Sequence, residues 1–183
     1  MTYAENIVKV FSEATDNEYA EGMAWYNTYH DYALRLTDGN AWLGAGVIAA
    51  YSPNNSWERN LFLATQTLST GTARTDYFSW QVAKVTRMLN GEHPLDVLNG
   101  DKERAFAAAI ATNGESDIAT IDRHAHDIAM GRVFTDKERG KIGKVLFRTL
   151  SEHYRQAALE TGVATAQMQA VTWVVWRNRK GIA

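Results

Sequence analysis

Ile118-Ala119-Thr120-Ile121-Asp122-Arg123-His124-Ala125-His126-Asp127-Ile128-Ala129 is the stretch on which the reading of this chain turns. A short apolar run carries the backbone to one carboxylate at the start of a helix. The local explanation for Asp122 is an N-cap, because an aspartate oxygen there accepts otherwise free backbone amides. A carboxylate fixed in such a place is also suited to stabilising positive charge on a reacting centre.

Upstream, Leu98-Asn99-Gly100-Asp101-Lys102-Glu103-Arg104-Ala105-Phe106 reads as a tight glycine turn opening a second helix, a hairpin over about residues 95–110. Earlier still, Ala45-Gly46-Val47-Ile48-Ala49-Ala50-Tyr51-Ser52-Pro53-Asn54-Asn55-Ser56-Trp57 runs into Glu58-Arg59-Asn60. That pattern is an apolar helix, a turn, and the cap of a following helix.

In this order the three stretches resemble the helix-hairpin-helix DNA glycosylase superfamily of the endonuclease III type, over roughly residues 40–135. In that family a hairpin L-P-G-x-G-x-K is followed, about one helix later, by an apolar strip and V-D-T-H, whose aspartate does the chemistry. The resemblance implies a catalytic role for Asp122 and places His124 on the motif's histidine. It also implies a buried helix before Ser52, and puts Asn54 where the family carries a glutamine that fills the hole left by an extruded base. Asn54 and Asn55 are therefore expected at DNA, in the manner of base-flipping proteins. Gly100, Lys102 and Arg104 are expected at the DNA backbone.

Two departures matter. Lys102 stands where a second glycine would let backbone amides approach a phosphate. Arg104 stands where bifunctional members carry a Schiff-base lysine, and a guanidinium does not serve as that nucleophile. The resemblance thus implies aspartate-assisted base chemistry without strand-cleaving lyase activity.

Composition frames these readings. A chain of 183 residues, 45% hydrophobic and with six tryptophans, suits one folded domain spanning residues 1–183 rather than a disordered adaptor. The absence of cysteine excludes disulfides, thiolate metal sites and the iron-sulfur cluster that many endonuclease III relatives carry. The expectation is that no cofactor is needed. Met1-Thr2-Tyr3-Ala4-Glu5-Asn6 has neither a basic flank nor an apolar signal core, and no apolar run reaches the roughly 18 residues of a membrane span. A soluble cytoplasmic protein is expected, in the host cell if the gene is a phage's.

The formal net charge of −2 argues against strong sequence-independent binding to duplex DNA. Arg132, Lys137, Arg139, Lys141, Lys144 and Arg148, opposed in that stretch only by Asp136 and Glu138, make a local basic face or a solvated helix surface. Arg177, Arg179 and Lys180 add a basic tail, with Arg177 the candidate DNA contact of the closing segment from Gln169.

Helical periodicity dominates and no strand-length alternation occurs, so the fold class is all-α, with about nine or ten helices. Thr15-Asp16-Asn17-Glu18 opens a helix closed near Asp38-Gly39, and Asn55-Ser56-Trp57-Glu58 opens another. Thr75-Asp76 begins one that ends at Asn90-Gly91, and Pro94 suits the first turn of a short helix. The capping box Thr135-Asp136-Lys137-Glu138 opens a helix with a stripe of Ile142, Val145, Leu146, Leu150, Tyr154 and Ala157, ended by Gly162. From the resemblance comes a two-lobed arrangement, with the N- and C-terminal helices packed as one lobe.

His124 and His126, two apart, point to different helix faces, and the pair Asp122 and His126 lacks a third ligand at useful spacing. No metal is expected. Trp57, Trp80, Trp173 and Trp176 are the spacing of a core, with base stacking as the functional alternative.

The expected function is a DNA-base-processing enzyme, compact and cysteine-free in the way of bacteriophage members. A second expectation is thymine hypermodification, in which an amine or amino-acid co-substrate replaces an activated group on 5-hydroxymethyluracil. A third is a non-catalytic module binding DNA or a host protein.

Overall fold

The computed structural model describes residues 1–74 and 77–180 of the chain. Eleven α-helices and no strand occur among them. In order these are α1 (Tyr3–Ser12), α2 (Asp16–Leu36), α3 (Ala41–Tyr51), α4 (Trp57–Thr70), α5 (Ser79–Leu89), α6 (Pro94–Val97), α7 (Asp101–Ala111), α8 (Arg123–Met130), α9 (Asp136–Arg139), α10 (Lys144–Thr161) and α11 (Thr165–Lys180). They form two compact units, one of Met1–Asn27 with Gly114–Ala183 and the other of Thr28–Asn113.

The unit built from the chain's two ends packs α1, α8, α10 and α11 on one another. Its core holds Ile7, Ile128, Leu150, Tyr154, Val171 and Val174, all fully buried. At its start a capping box closes α1: the Glu5 amide donates to Thr2 Oγ1 at 3.2 Å, and the Thr2 amide donates to Glu5 Oε2 at 2.8 Å. Buried Asn6 then donates its side-chain amide to the Ala129 carbonyl at 2.8 Å, so α1 satisfies the frayed end of α8.

Gly22 lets α2 touch α11. A Cβ added there would lie 2.4 Å from the Val171 Cα, a backbone atom that cannot rotate away. Gly22→Ala is expected to force the two helices apart at a cost of about 2–3 kcal/mol, seen as a melting temperature roughly 5–10 °C lower by circular dichroism. An unchanged melting temperature would mean that this contact is loose.

The middle unit is organised around α3. From Gly44 to Tyr51 every residue of it is buried, as expected of a helix apolar on all sides and surrounded by others. α7, α4, α5 and α6 pack on it. Ser56 caps α4 by accepting from the Arg59 amide at 3.2 Å, Gly71 ends that helix in the left-handed conformation, and Pro94 occupies the first turn of α6.

Local signals placed most boundaries, but two expectations fail. The helices number eleven among the described residues, against nine or ten expected. One reason is the Thr135 capping box, which forms as read but opens only the single turn α9. Gly140, at φ 62°, breaks the chain, and α10 begins afresh after Gly143. The buried stripe of α10 is consequently Phe147, Leu150, Ser151, Tyr154, Ala157 and Ala158, while Val145 is 82% exposed and Ile142 precedes the helix. Gly162 ends α10 in the left-handed conformation, as the sequence suggests. The expected helix start at Thr75-Asp76 lies outside the described residues; α5 is described from Ser79.

Candidate functional site

The run before Asp122 is held in place from three sides. Ala119, Thr120 and Ile121 are buried, whereas Ile118 is exposed. Ser151 Oγ of α10 accepts from the Ala119 amide at 3.2 Å. The Tyr26 hydroxyl of α2 donates to Gln169 Oε1 of α11 at 2.8 Å, leaving its oxygen to accept from the Thr120 hydroxyl at 3.3 Å. Three helices thereby fix the backbone that presents Asp122.

Asp122 itself is the N-cap of α8, in extended backbone, with Oδ1 accepting from the Ala125 amide at 2.8 Å. The N-cap reading therefore holds. Its side chain is half-buried, and no described residue donates a hydrogen bond to the second oxygen, Oδ2.

The surroundings respond to that charge. Burial pushes the Tyr26 hydroxyl well above its ordinary pKa; the Thr120 hydrogen bond opposes this and the Asp122 charge reinforces it. Tyr154, whose hydroxyl donates to the Ala125 carbonyl at 3.3 Å, is likewise raised first by burial, against a Thr172 hydrogen bond and with help from Asp122. Both phenols stay protonated as neutral donors. For His124, half-buried beside Asp122, burial lowers the pKa most, partly offset by Asp122 and reinforced by Arg123. Its Nε2 accepts from Arg123 Nε at 3.3 Å.

Behind the cap, α8 is locked by a buried ion pair. Arg139 grips Asp127 with two hydrogen bonds, Nε to Oδ1 at 3.0 Å and Nη2 to Oδ2 at 2.8 Å. The Phe134 amide and His126 Nδ1 complete the carboxylate's shell at 3.0 and 2.9 Å. Burial alone would raise the Asp127 pKa, but the hydrogen bonds from Arg139, Phe134 and His126 outweigh it, and the carboxyl is held below its usual value. A depressed folded-state pKa stabilises the fold fully above the unfolded value of about 3.9, and that contribution is lost as the pH falls through the lower folded value. Below about pH 4 the melting temperature is thus expected to fall, and Asp127→Asn to flatten that limb of the profile. Parallel acid profiles for the two proteins would contradict the assignment.

The lock also takes Arg139 out of the row of cations between Arg132 and Arg148. Arg139 points inward, with its side chain only 7% exposed. Arg132 pairs with Glu138 at 3.4 Å and lies 3.6 Å over the Phe134 ring. Lys137, Lys141, Lys144 and Arg148 stay exposed.

The other sequence candidates separate. Arg177 belongs to the unit of Asp122, where it stacks 4.4 Å over the Trp173 ring and pairs with Glu21 at 3.5 Å. In the tail, Arg179 pairs with Glu13, while the Lys180 side chain lies outside the described residues. Asn54, Asn55, Gly100, Lys102 and Arg104 belong to the middle unit. Asn54 is exposed in the left-handed region at φ 63°, which asparagine tolerates. Both ends of the Asn55 amide are used, donating to the Tyr51 carbonyl at 2.6 Å and accepting from the Tyr77 hydroxyl. Gly100 caps α7 at φ −88°, where any residue fits, and a Cβ would meet nothing closer than the Glu103 side chain at 3.7 Å. Lys102 and Arg104 are exposed on α7.

Among the described residues no three His, Cys, Asp or Glu gather to hold a metal, and the chain has no cysteine for an iron-sulfur cluster. No described helix is long and apolar enough to cross a membrane. Tyr26, Thr120, Tyr154 and Gln169 were not among the sequence candidates. No local pattern marks them, since their hydrogen bonds join residues far apart in the chain.

No curated protein and no solved structure matches the chain. A family profile matches residues 1–180, and the protein belongs to that family, DUF7178, described as a family of unknown function.

Proposed function

We propose that the protein processes a base in DNA, with Asp122 as the catalytic group. The observation that carries this reading is the divided carboxylate: Oδ1 anchored by the Ala125 amide and Oδ2 without a donor among the described residues, on a half-buried side chain. The ordered resemblance of residues 40–135 to helix-hairpin-helix glycosylases supplies the substrate class. As a base leaves with the electron pair of its glycosidic bond, positive charge grows on the sugar, and a fixed carboxylate nearby stabilises it. Water then adds to the anomeric carbon and a proton is released. Lys102 and Arg104 are both exposed, and neither lies in a desolvated pocket of the kind that activates a lysine nucleophile, which favours chemistry without strand cleavage.

The test is incubation of the protein with DNAs carrying normal, damaged, hydroxymethylated or pyrophosphorylated pyrimidines, followed by mass spectrometry of free bases and digested nucleosides. Free base supports the glycosylase reading. A nucleoside of altered mass, formed only with an added amine or amino acid, would replace it with the substitution reaction on 5-hydroxymethyluracil.

A further inference from the structure

In the middle unit, large aromatic side chains lie on the surface instead of in the core. Phe62 of α4, and Phe78 and Trp80 at the start of α5, are 47%, 50% and 41% exposed. They belong to one continuous band. Arg59 lies 5.3 Å over the Phe62 ring and 5.9 Å over the Tyr77 ring. Tyr77 meets Phe78 edge-on at 5.3 Å, and Phe78 stacks on Trp80 at 6.2 Å with 23° between the rings. Lys84 sits 5.0 Å over Trp80 and is neutralised by Glu103 at 2.6 Å.

The band is tied to the body of the unit at Tyr77: its hydroxyl donates to Asn55, and Asn55 donates to the Tyr51 carbonyl, which anchors this ring on the turn between α3 and α4. Its exposed groups are the aromatic rings of Phe62, Phe78 and Trp80 and one arginine, Arg59. Arg59 has no carboxylate within ion-pair distance among the described residues, and the residue is exposed. A ligand complementary to this has flat aromatic units joined by negative charges. Single-stranded nucleic acid has that repeat, because every base offers a π-face and every linkage a phosphate. In a duplex the same faces are hidden by stacking.

We propose that Phe62, Tyr77, Phe78 and Trp80, with Arg59, form a stacking platform for single-stranded DNA. The inference rests on the DNA reading for the choice of polymer, and the two fail separately. Bases stack on Phe78 and Trp80, and Arg59 meets a phosphate while backing a ring. This surface gives binding without base-edge readout, so its sequence preference is weak.

Fluorescence anisotropy with a labelled oligothymidylate of about 12 nucleotides, single-stranded and annealed to its complement, tests the platform. Wild type should bind the single strand more tightly than the duplex. Trp80→Ala and Phe78→Ala should each weaken single-strand binding about 10-fold with unchanged circular dichroism. Arg59→Ala should lower the slope of log affinity against log salt by about 0.7, one phosphate's share for a single strand. Equal affinity for the two forms, or wild-type binding by both ring variants, overturns the proposal. If that occurs while Asp122-dependent base chemistry is observed, the platform is wrong and the DNA reading stands. Ring-dependent binding with no base chemistry supports the platform and removes the base-processing reading.

Discussion

Arg139→Ala is expected to lower the melting temperature by roughly 10 °C, a larger loss than that of Gly22→Ala. The side chains of Arg139 and Asp127 are 7% and 4% exposed, and truncating the arginine would leave a buried carboxylate facing only the Phe134 amide and His126. Breaking such a pair costs about 3–5 kcal/mol, because the remaining charge has lost both water and its partner. Arg139 also donates to the Phe134 carbonyl at 2.6 Å and pairs with Asp136 at 2.6 Å, so it pins the segment after α8 to α9. Arg139→Lys keeps the charge but not the two-pronged grip, and should fall between wild type and alanine. A melting temperature within about 2 °C of wild type for Arg139→Ala would show that the lock does not hold α8. The consequence reaches the proposed site, because α8 has only eight residues and is too short to persist without tertiary support. Asp122 is its first anchor.

The second large effect concerns Asp122, where the observed cap and the proposed chemical role fall on one residue and substitution can separate them. Asparagine is as good an N-cap as aspartate, so Asp122→Asn should keep the Ala125 hydrogen bond and change stability by less than about 0.5 kcal/mol. Alanine removes the cap and should cost about 1 kcal/mol. If the carboxylate stabilises a developing cation, both variants should lose base-directed activity by about 100-fold or more, a magnitude typical of deleting one preorganised electrostatic group. Activity that followed stability, with Asp122→Asn near wild type and only Asp122→Ala impaired, would mean that the residue is a cap and nothing else.

How much of this was legible in the sequence depends on the range of the interaction. Ser56 before Trp57, Gly162 after α10, Pro94 in α6 and Asp122 before α8 were readable, because caps and turn residues act within a few positions of themselves. Gly140 and Gly143 were locally visible too, but the apolar stripe drawn through Ile142 and Val145 overrode them, and Val145 proved to be exposed. Arg139 looked like part of a basic face. Its partner is twelve residues away, across a turn that periodicity does not describe. Around Asp122, the supporting Tyr26, Ser151 and Gln169 come from three different helices, so their convergence required tertiary packing. Trp80 shows the reverse error: spacing typical of a core placed it inside, whereas it lies on the surface beside Phe78.

The most direct test of the central claim compares wild type with Asp122→Asn on the same panel of modified DNAs, with free bases and digested nucleosides quantified by mass spectrometry and folding checked by circular dichroism. The account predicts that wild type releases or alters a base and that the equally folded Asp122→Asn protein does not. Equal product from both proteins, or none from wild type on any substrate, would contradict it.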